Sequence, residues 1–96
     1  MYITSYQERQ EKIEKMRHRF PAGTRVMITR YNDKDISSKD GLATVQLIDD
    51  FGVVKVVRDD GTIIRIIPGM DSMRFLTDAE MSAEAEKRIS ERERQK

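Results

Sequence analysis

Apolar and polar residues alternate most regularly in the middle of the chain, between Gly41 and Gly69. Two runs of β-branched residues, Val53–Val57 and Thr62–Ile67, lie on either side of Asp59-Asp60-Gly61. A three-residue loop of this composition suits a type I turn followed by a glycine in the left-handed region. The pattern therefore predicts a β-hairpin.

The length of this turn determines which residues face each other across the hairpin. On one face it places Arg58 opposite Thr62, Val56 opposite Ile64, and Val54 opposite Ile66. On the other face it places Val57 opposite Ile63, Lys55 opposite Arg65, and Val53 opposite Ile67. The second face is unusual, because a half-buried hairpin normally has polar residues outside, whereas here four β-branched residues surround one pair of cations. We expect this face to be covered, either by a terminal helix or by a partner.

Both ends of the chain have the pattern of helices. Ser5-Tyr6-Gln7-Glu8 has the form of a capping box, so a helix is predicted from about Tyr6 to His18, with Pro21 ending it. Thr77-Asp78-Ala79-Glu80 is a second capping box. The helix after it has a weak apolar stripe, and its last residues, SERERQK, contain no apolar side chain. We expect that end to fray or to be disordered without a partner.

Three further strands complete the predicted fold. They are Thr24–Arg30, Gly41–Ile48, in which Ala43, Val45 and Leu47 share one face, and Met73–Leu76. The segment from Tyr31 to Asp40 is predicted to be a polar loop. Five short strands with one long loop are typical of a small, strongly bent barrel. The predicted chain is mainly β, with an N-terminal helix at 1–20, the barrel at 21–76 and a C-terminal helix at 77–96.

The composition supports the same division. Every glutamate lies in the first or last twenty residues, and the middle of the chain uses only aspartate, which favours turns. The chain has no cysteine, which fits a reducing cytoplasm. No apolar run approaches the roughly 20 residues that span a bilayer, and the N-terminus lacks the apolar core of a signal peptide. We expect a cytoplasmic protein with no membrane association.

Several segments of the barrel resemble a known family. They are Phe20–Val26, Gly41–Val45, Ile48–Gly52, Asp59–Gly61 and Ile67–Asp71, and together they extend over roughly residues 20–76. They are similar to a domain of unknown function carried by bacterial phages, plasmids and integrative elements. The resemblance implies a Src-homology-3-like barrel with a strand-turn-strand unit similar to the KOW element, and no enzyme activity. Relatives often place an aromatic residue before the Asp-X-Gly turn, where this chain has Arg58.

The residues that could carry out chemistry are better explained by local structure. Neighbouring aspartates in Asp49-Asp50 and Asp59-Asp60 point to opposite faces of a strand, and aspartates in turns accept hydrogen bonds from nearby backbone. The segment Asn32–Asp35 lacks the glycine and the glutamate of a calcium loop. His18, the one histidine, lies near a helix C-terminus, where a cation is favoured. We therefore predict a non-enzyme without catalytic residues, metal or cofactor; a hydrolase using Asp49 or Asp59 is the weakest hypothesis.

The best candidates for a functional site are cations on the strands or at their ends. They are Arg25, Arg30, Lys55, Arg58 and Arg65. Lys55 faces Arg65 across the hairpin, and like charges placed opposite each other are unfavourable, so an anionic group should lie near them. Either glutamates of the N-terminal helix or a partner could supply it. Val57 and Ile63 on the same face, and Tyr31 as the one aromatic expected to be exposed, complete the predicted partner-binding site.

Two functions remain open at this point. The first is a non-enzymatic module that docks on a host protein. The mobile-element resemblance makes a nucleic-acid-handling machine the expected partner, for example a defence nuclease inhibited in the anti-CRISPR manner. The second is a nucleic-acid-binding accessory protein that uses the cationic strand face, although stacking on bases needs more exposed aromatics and the net charge is only +1. A homodimer through the terminal helices is a further option, but their stripes cover few heptads.

Overall fold

The computed structural model describes residues 2–37 and 39–94, and the side chains of 6–37 and 39–87. Within these residues two helices flank a six-stranded antiparallel sheet. The elements are α1 (Tyr2–Arg19), β1 (Arg25–Tyr31), β2 (Lys34–Asp35), β3 (Leu42–Ile48), β4 (Val54–Arg58), β5 (Ile63–Ile66), β6 (Ser72–Phe75) and α2 (Asp78–Arg94). The described part of the chain contains no helix long and apolar enough to cross a membrane.

The sheet curls into a half-barrel. Its strands follow the order β2-β1-β3-β4-β5. Strand β6 pairs with the other edge of β1, the one that does not pair with β3. Where β3 begins, a Cβ on Gly41 would lie 2.4 Å from the carbonyl oxygen of Ile28, so only glycine allows the two strands to approach so closely. The predicted mainly β fold with a helix at each end of the chain is confirmed.

The prediction of a polar loop from Tyr31 to Asp40 is wrong in its first half. Asn32 and Asp33 both have positive φ angles, of 53° and 62°, and form a two-residue turn that pairs Tyr31 with Lys34. Such turns favour asparagine and aspartate, so the Asn-Asp pair was the available signal. The resulting strand β2 raises the strand count from the predicted five to six.

The predicted register of the hairpin is confirmed. The structure pairs Val54 with Ile66, Lys55 with Arg65, Val56 with Ile64, and Val57 with Ile63. Three side chains of the first face, Val54, Val56 and Ile66, enter the core, and Ile64 packs against it. The other buried members of the core are Ile13, Val26, Ile28, Ala43, Val45 and Ile48. Ile63, on the second face, is 56% exposed.

Helix α1 covers the inner side of the half-barrel. Its residue Ile13 is buried in the core, and the Arg17 side chain donates a hydrogen bond to the carbonyl of Ile48 (3.2 Å) and another to Asp50 (2.9 Å). The hypothesis that this helix covers the outer face of the hairpin is therefore wrong. The N-terminal capping box is also wrong, because the helix already begins at Tyr2 and Ser5 lies within it.

The capping box of the second helix is confirmed. The backbone N–H of Thr77 donates to Glu80 Oε1 (2.8 Å), and the N–H of Glu80 donates to Thr77 Oγ1 (3.2 Å). These two bonds satisfy donors that the first turn of a helix leaves free. The helix continues to Arg94. The fraying or disorder predicted for residues 90–96 in the absence of a partner stays a prediction, and residues 95–96 lie outside the described residues.

Candidate partner-binding site

The outer surface of the β4–β5 hairpin is exposed on its β5 side and half-buried on its β4 side. We call it the hairpin face; it consists of Val53, Lys55, Val57, Ile63, Arg65 and Ile67. Ile63 is 56% exposed and Ile67 42%, whereas the buried residues of the same two strands are nearly inaccessible. The structure thus brings four of the predicted site residues together, namely Lys55, Val57, Ile63 and Arg65.

Leu47 extends the hairpin face onto β3, and the sequence pattern missed it. It is paired with Lys55 and is 49% exposed. Simple alternation placed Leu47 on the same side as Val45, which is buried. A β-bulge between Val45 and Leu47 adds one residue to β3 and reverses the alternation, so Ile48 enters the core in place of Leu47. The residues of this segment include none of a type that would predict a bulge from the sequence.

The two cations at the centre of the hairpin face lie close together. The N–H of Arg58 donates to the carbonyl of Thr62 (2.8 Å), so this pair occupies a hydrogen-bonded position of the ladder. Hydrogen-bonded and non-hydrogen-bonded positions alternate, which puts Lys55 and Arg65 at a non-hydrogen-bonded position, where opposing side chains are closest. Among the described residues neither cation belongs to an ion pair.

Arg25, by contrast, is engaged by two carboxylates. Its guanidinium lies 2.8 Å from Asp59, and its Nε donates to Glu84 of α2 (3.1 Å). Hydrogen bonds to Glu84 and then to Asp59 raise the pKa of Arg25. The same guanidinium lowers the pKa of the Asp59 carboxyl. Arg25 therefore anchors α2 to the sheet, and its charge is compensated.

The other predicted site residues lie apart from the central pair. Arg58 donates to the carbonyl of Asp40 (2.9 Å) at one end of the barrel, and Arg30 is exposed, 3.8 Å from Asp33. Tyr31 was expected to be exposed, but it is half-buried and packs against the core. Its remaining surface lines a shallow groove together with Arg65, Ile67 and Met70.

Three exposed aromatics, Tyr6, Phe51 and Phe75, were missed by the sequence pattern. Phe51, in the turn between β3 and β4, is 85% exposed, and Tyr6 on α1 is also exposed. Phe75 stacks on Phe20 at 4.5 Å between ring centroids, with Arg19 above both rings. None of these aromatics lies on β4 or β5, the two strands of the hairpin face.

The aspartate pairs act in turns, as predicted. Asp49 accepts hydrogen bonds from the N–H groups of Phe51 and Val53, both at 2.9 Å. Asp60 accepts one from the N–H of Thr62 (2.9 Å), and its contact with Thr62 lowers the pKa of its carboxyl. Across the described residues, no three side chains of histidine, cysteine, aspartate or glutamate converge in a way that could hold a metal ion.

Residues 9–76 match the family described as "Domain of unknown function (DUF4314)". The chain belongs to this family. No curated protein and no solved structure matches the chain. The resemblance to a domain of unknown function is thus confirmed and reaches into α1, whereas an origin in phages or mobile elements stays a prediction.

The DUF4314 match includes the whole hairpin face and leaves out α2. Helix α2 lies over the outer side of β1 and β6, where Arg74 forms an ion pair with Glu80 (2.7 Å) and Met27 is buried. Grooves of about 380 and 280 Å³ remain on the two sides of the helix. Helix α2 therefore covers strands at the other end of the sheet, and among the described residues it does not cover the hairpin face.

Proposed function

We propose that this protein is a non-enzymatic binding module that docks on another protein through the hairpin face. The observation that carries the proposal is a pair of adjacent cations without a counter-ion in the described residues, surrounded by exposed apolar side chains. Single exposed apolar residues are common on protein surfaces. Here Leu47 lies beside Lys55, and Ile63 lies beside the half-buried Val57, so apolar side chains border the two cations. Exposed apolar surface of this kind is characteristic of an interaction site.

The partner that we propose is a host protein that handles nucleic acid, and a defence nuclease inhibited in the anti-CRISPR manner is the concrete case. This choice of partner is supported by the sequence resemblance to mobile-element families alone. The Src-homology-3-like identity of the barrel is supported by the strand order β6-β1-β3-β4-β5, in which the last strand lies beside the first. Barrels of this size carry many unrelated functions, so the fold does not select the partner.

Binding of nucleic acid is the second candidate function. One observation favours it, because Tyr31 and Arg65 line the same groove and could contact a base and a phosphate. Against it, the cations do not form one surface: Arg25 is neutralised by Asp59 and Glu84, and Arg58 lies at the end of the barrel. A basic patch on one face is the usual mark of a protein that binds nucleic acid.

The decisive variant is the double substitution Lys55→Glu and Arg65→Glu. Arg65 is exposed and Lys55 half-buried, and both lie on the side of the hairpin opposite the core. We therefore expect the fold to be retained, as judged by circular dichroism. Partner capture should be lost because the charge of the surface is reversed. The partner is first identified by affinity capture from host lysate and mass spectrometry, and its affinity is then measured by calorimetry with purified protein.

A matched control changes the same number of charges elsewhere. Arg9→Glu with Lys15→Glu alters two exposed cations of α1 and should leave the affinity unchanged. If Lys55→Glu with Arg65→Glu binds the purified partner as tightly as this control does, the hairpin face is not the contact surface.

Salt dependence separates the two candidate functions. Binding to phosphates releases counterions, so affinity for nucleic acid falls steeply as salt rises, whereas a mainly apolar protein interface depends on salt only weakly. A mobility-shift titration with duplex and single-stranded oligonucleotides at two ionic strengths measures this. The absence of a shift at low salt removes the second candidate. If a salt-sensitive shift is seen with the wild type and disappears in the variant Lys55→Glu with Arg65→Glu, the function of this face is nucleic-acid binding and not protein docking.

A further inference from the structure

Strand β5 leaves one of its edges unpaired. Within the described residues it pairs only with β4 and ends the sheet. Because Thr62 occupies a hydrogen-bonded position opposite Arg58, the alternation of the ladder directs the N–H and C=O groups of Ile63 and Arg65 away from β4. Two residues thus offer four backbone hydrogen-bonding groups to any strand that lies beside them.

The free edge ends at Ile66, where β5 ends. The N–H of Ile67 donates to Asp71 Oδ2 (3.0 Å), and its carbonyl accepts from the N–H groups of Met70 (3.0 Å) and Asp71 (2.8 Å). The backbone of Ile67 is therefore satisfied internally, whereas that of Ile63 and Arg65 takes part in none of the turn and loop hydrogen bonds of the described chain.

Natural sheets usually protect an exposed edge with proline, a bulge or a covering segment. Strand β5 contains no proline, and its pairing with β4 shows no shift of register. The exposed Ile63 makes the edge apolar. An exposed edge without proline or bulge, next to a partly apolar face, is the arrangement used by domains that bind an extended peptide as an additional strand.

Resting on the proposed function, we propose that the partner contributes an extended acidic segment that adds to the free edge of β5. Every second side chain of an added strand lies on the hairpin face. In the added strand, the side chain that lies next to Arg65 is acidic, and the side chains that lie next to Ile63 and Ile67 are apolar. The segment recognised has the pattern apolar-x-acidic-x-apolar.

Charge and burial both select this pattern. A carboxylate beside Arg65 meets two closely spaced cations, and a charge-assisted hydrogen bond to an arginine is stronger than one between neutral groups. Apolar side chains on either side of it remove Ile63 and Ile67 from water. A helix laid on the same face could satisfy the charges, but it would leave the edge groups of Ile63 and Arg65 without backbone partners.

A second copy of this chain fits the edge less well than an acidic segment. If β5 of one copy paired with β5 of another, Arg65 of each copy would be brought close to the other. Like charges across a strand pair are destabilising, and Lys55 next to each Arg65 would increase the repulsion. Charge complementarity therefore favours a partner of opposite charge.

The probe is a synthetic peptide, acetyl-Ser-Val-Thr-Glu-Thr-Val-Ser-amide, titrated to millimolar concentration into the full-length ¹⁵N-labelled chain. We expect the amide resonances of Ile63 and Arg65 to shift and their exchange with solvent to slow. The first control peptide has lysine in place of the glutamate. The second control peptide keeps the glutamate and every other side chain, but the backbone nitrogen of the glutamate is N-methylated. Both controls should fail to produce these changes. If the N-methylated peptide binds as well as the parent, or the parent leaves both amides unchanged, strand addition is wrong.

A matched pair of protein variants tests the same step with the natural partner. Ile63→Pro removes an N–H that β4 does not use and places a ring at the edge, where proline is tolerated. Ile63→Ala removes the same side chain but keeps the N–H. We expect Ile63→Pro to bind both peptide and partner about tenfold or more weakly than Ile63→Ala, as expected for the loss of one or two backbone hydrogen bonds.

These outcomes distinguish failure of the inference from failure of the proposed function. If Lys55→Glu with Arg65→Glu still captures the partner, the proposed function itself is wrong. If that double variant loses the partner while Ile63→Pro and Ile63→Ala bind it equally, the face binds but the edge does not. A dimer detected by sedimentation and lost in Ile63→Pro would show a second copy at the edge and overturn the acidic segment. Should Ile63→Pro fail to fold, the comparison with the N-methylated peptide decides.

Discussion

Ile63 and Ile66 show how the position of a single residue determines its role. Both belong to β5, but an odd spacing of three places them on opposite faces of the strand. Ile63 is 56% exposed and Ile66 only 2%. The first is therefore available to a partner, and the second stabilises the core. The alternation of the strand places them on different faces, and packing of α1 against the core covers only the face of Ile66.

Alanine at these two positions tests that assignment. Ile66→Ala should lower the free energy of unfolding by about 2–5 kcal/mol, the usual cost of removing a large buried aliphatic side chain. Ile63→Ala should change it by no more than about 0.5 kcal/mol, as is usual for surface positions. Urea unfolding followed by circular dichroism measures both. Equal losses would mean that the hairpin face is already covered within the protein.

Helix α2 is attached to the sheet mainly through side-chain ion pairs at its N-terminal half. Glu80 accepts from Arg74 and also from the backbone of Thr77, so one carboxylate both caps the helix and joins it to β6. These contacts, the one from Arg74 first, hold the pKa of Glu80 at about 2, below its ordinary value of 4.5. The unfolded chain therefore binds a proton at Glu80 more readily than the folded chain does.

The pH dependence of stability follows from this shift. A lowered folded-state pKa contributes stability that is present above about pH 4.5 and is lost as the pH falls towards about 2. We expect the Tm of Glu80→Gln to fall less than that of the wild type over this interval. Glu86→Gln changes an exposed glutamate of the same helix and should follow the wild type. Thermal scans between pH 5 and pH 2 measure the difference, and identical slopes for both variants would contradict the role of Glu80.

The two helices make different contributions to the whole molecule. Helix α1 supplies Ile13 to the core and covers the inner side of the half-barrel. Helix α2 lies on the outer side and is held by the pairs of Arg25 with Glu84 and Arg74 with Glu80. The DUF4314 match begins within α1 and ends before α2, which agrees with this difference.

Truncation should therefore affect the two ends unequally. A chain that ends at Thr77 should still unfold cooperatively, because its core cluster is complete. A chain without residues 1–19 should lose cooperative unfolding, because Ile13 is removed and the core beneath it is exposed to water. Urea titrations and the dispersion of amide resonances measure both outcomes. A cooperative transition in the chain that lacks α1 would show that the barrel closes without it.

Some features of this protein depend on residues that are close together along the chain, and these were predictable. The Asp-Asp-Gly turn sets the register of the hairpin, the Thr77–Glu80 box begins α2, and Asp49 and Asp60 bond to backbone within four residues of themselves. The Asn-Asp turn before β2 was equally local and could have been predicted. Hydrogen bonds at such short separations cost little chain entropy, so local residue types are enough to determine them.

Other features required distant segments to come together. Arg25 is neutralised by Glu84, which lies 59 positions further along the chain, and Tyr31 is half-buried against the core. Leu47 turns outward because a bulge lets β3 follow the curve of the sheet. Alternation along a strand defines two faces but not which of them is covered. That choice depended on the free energy of packing α1 inside the half-barrel and α2 outside it, and it left the hairpin face uncovered.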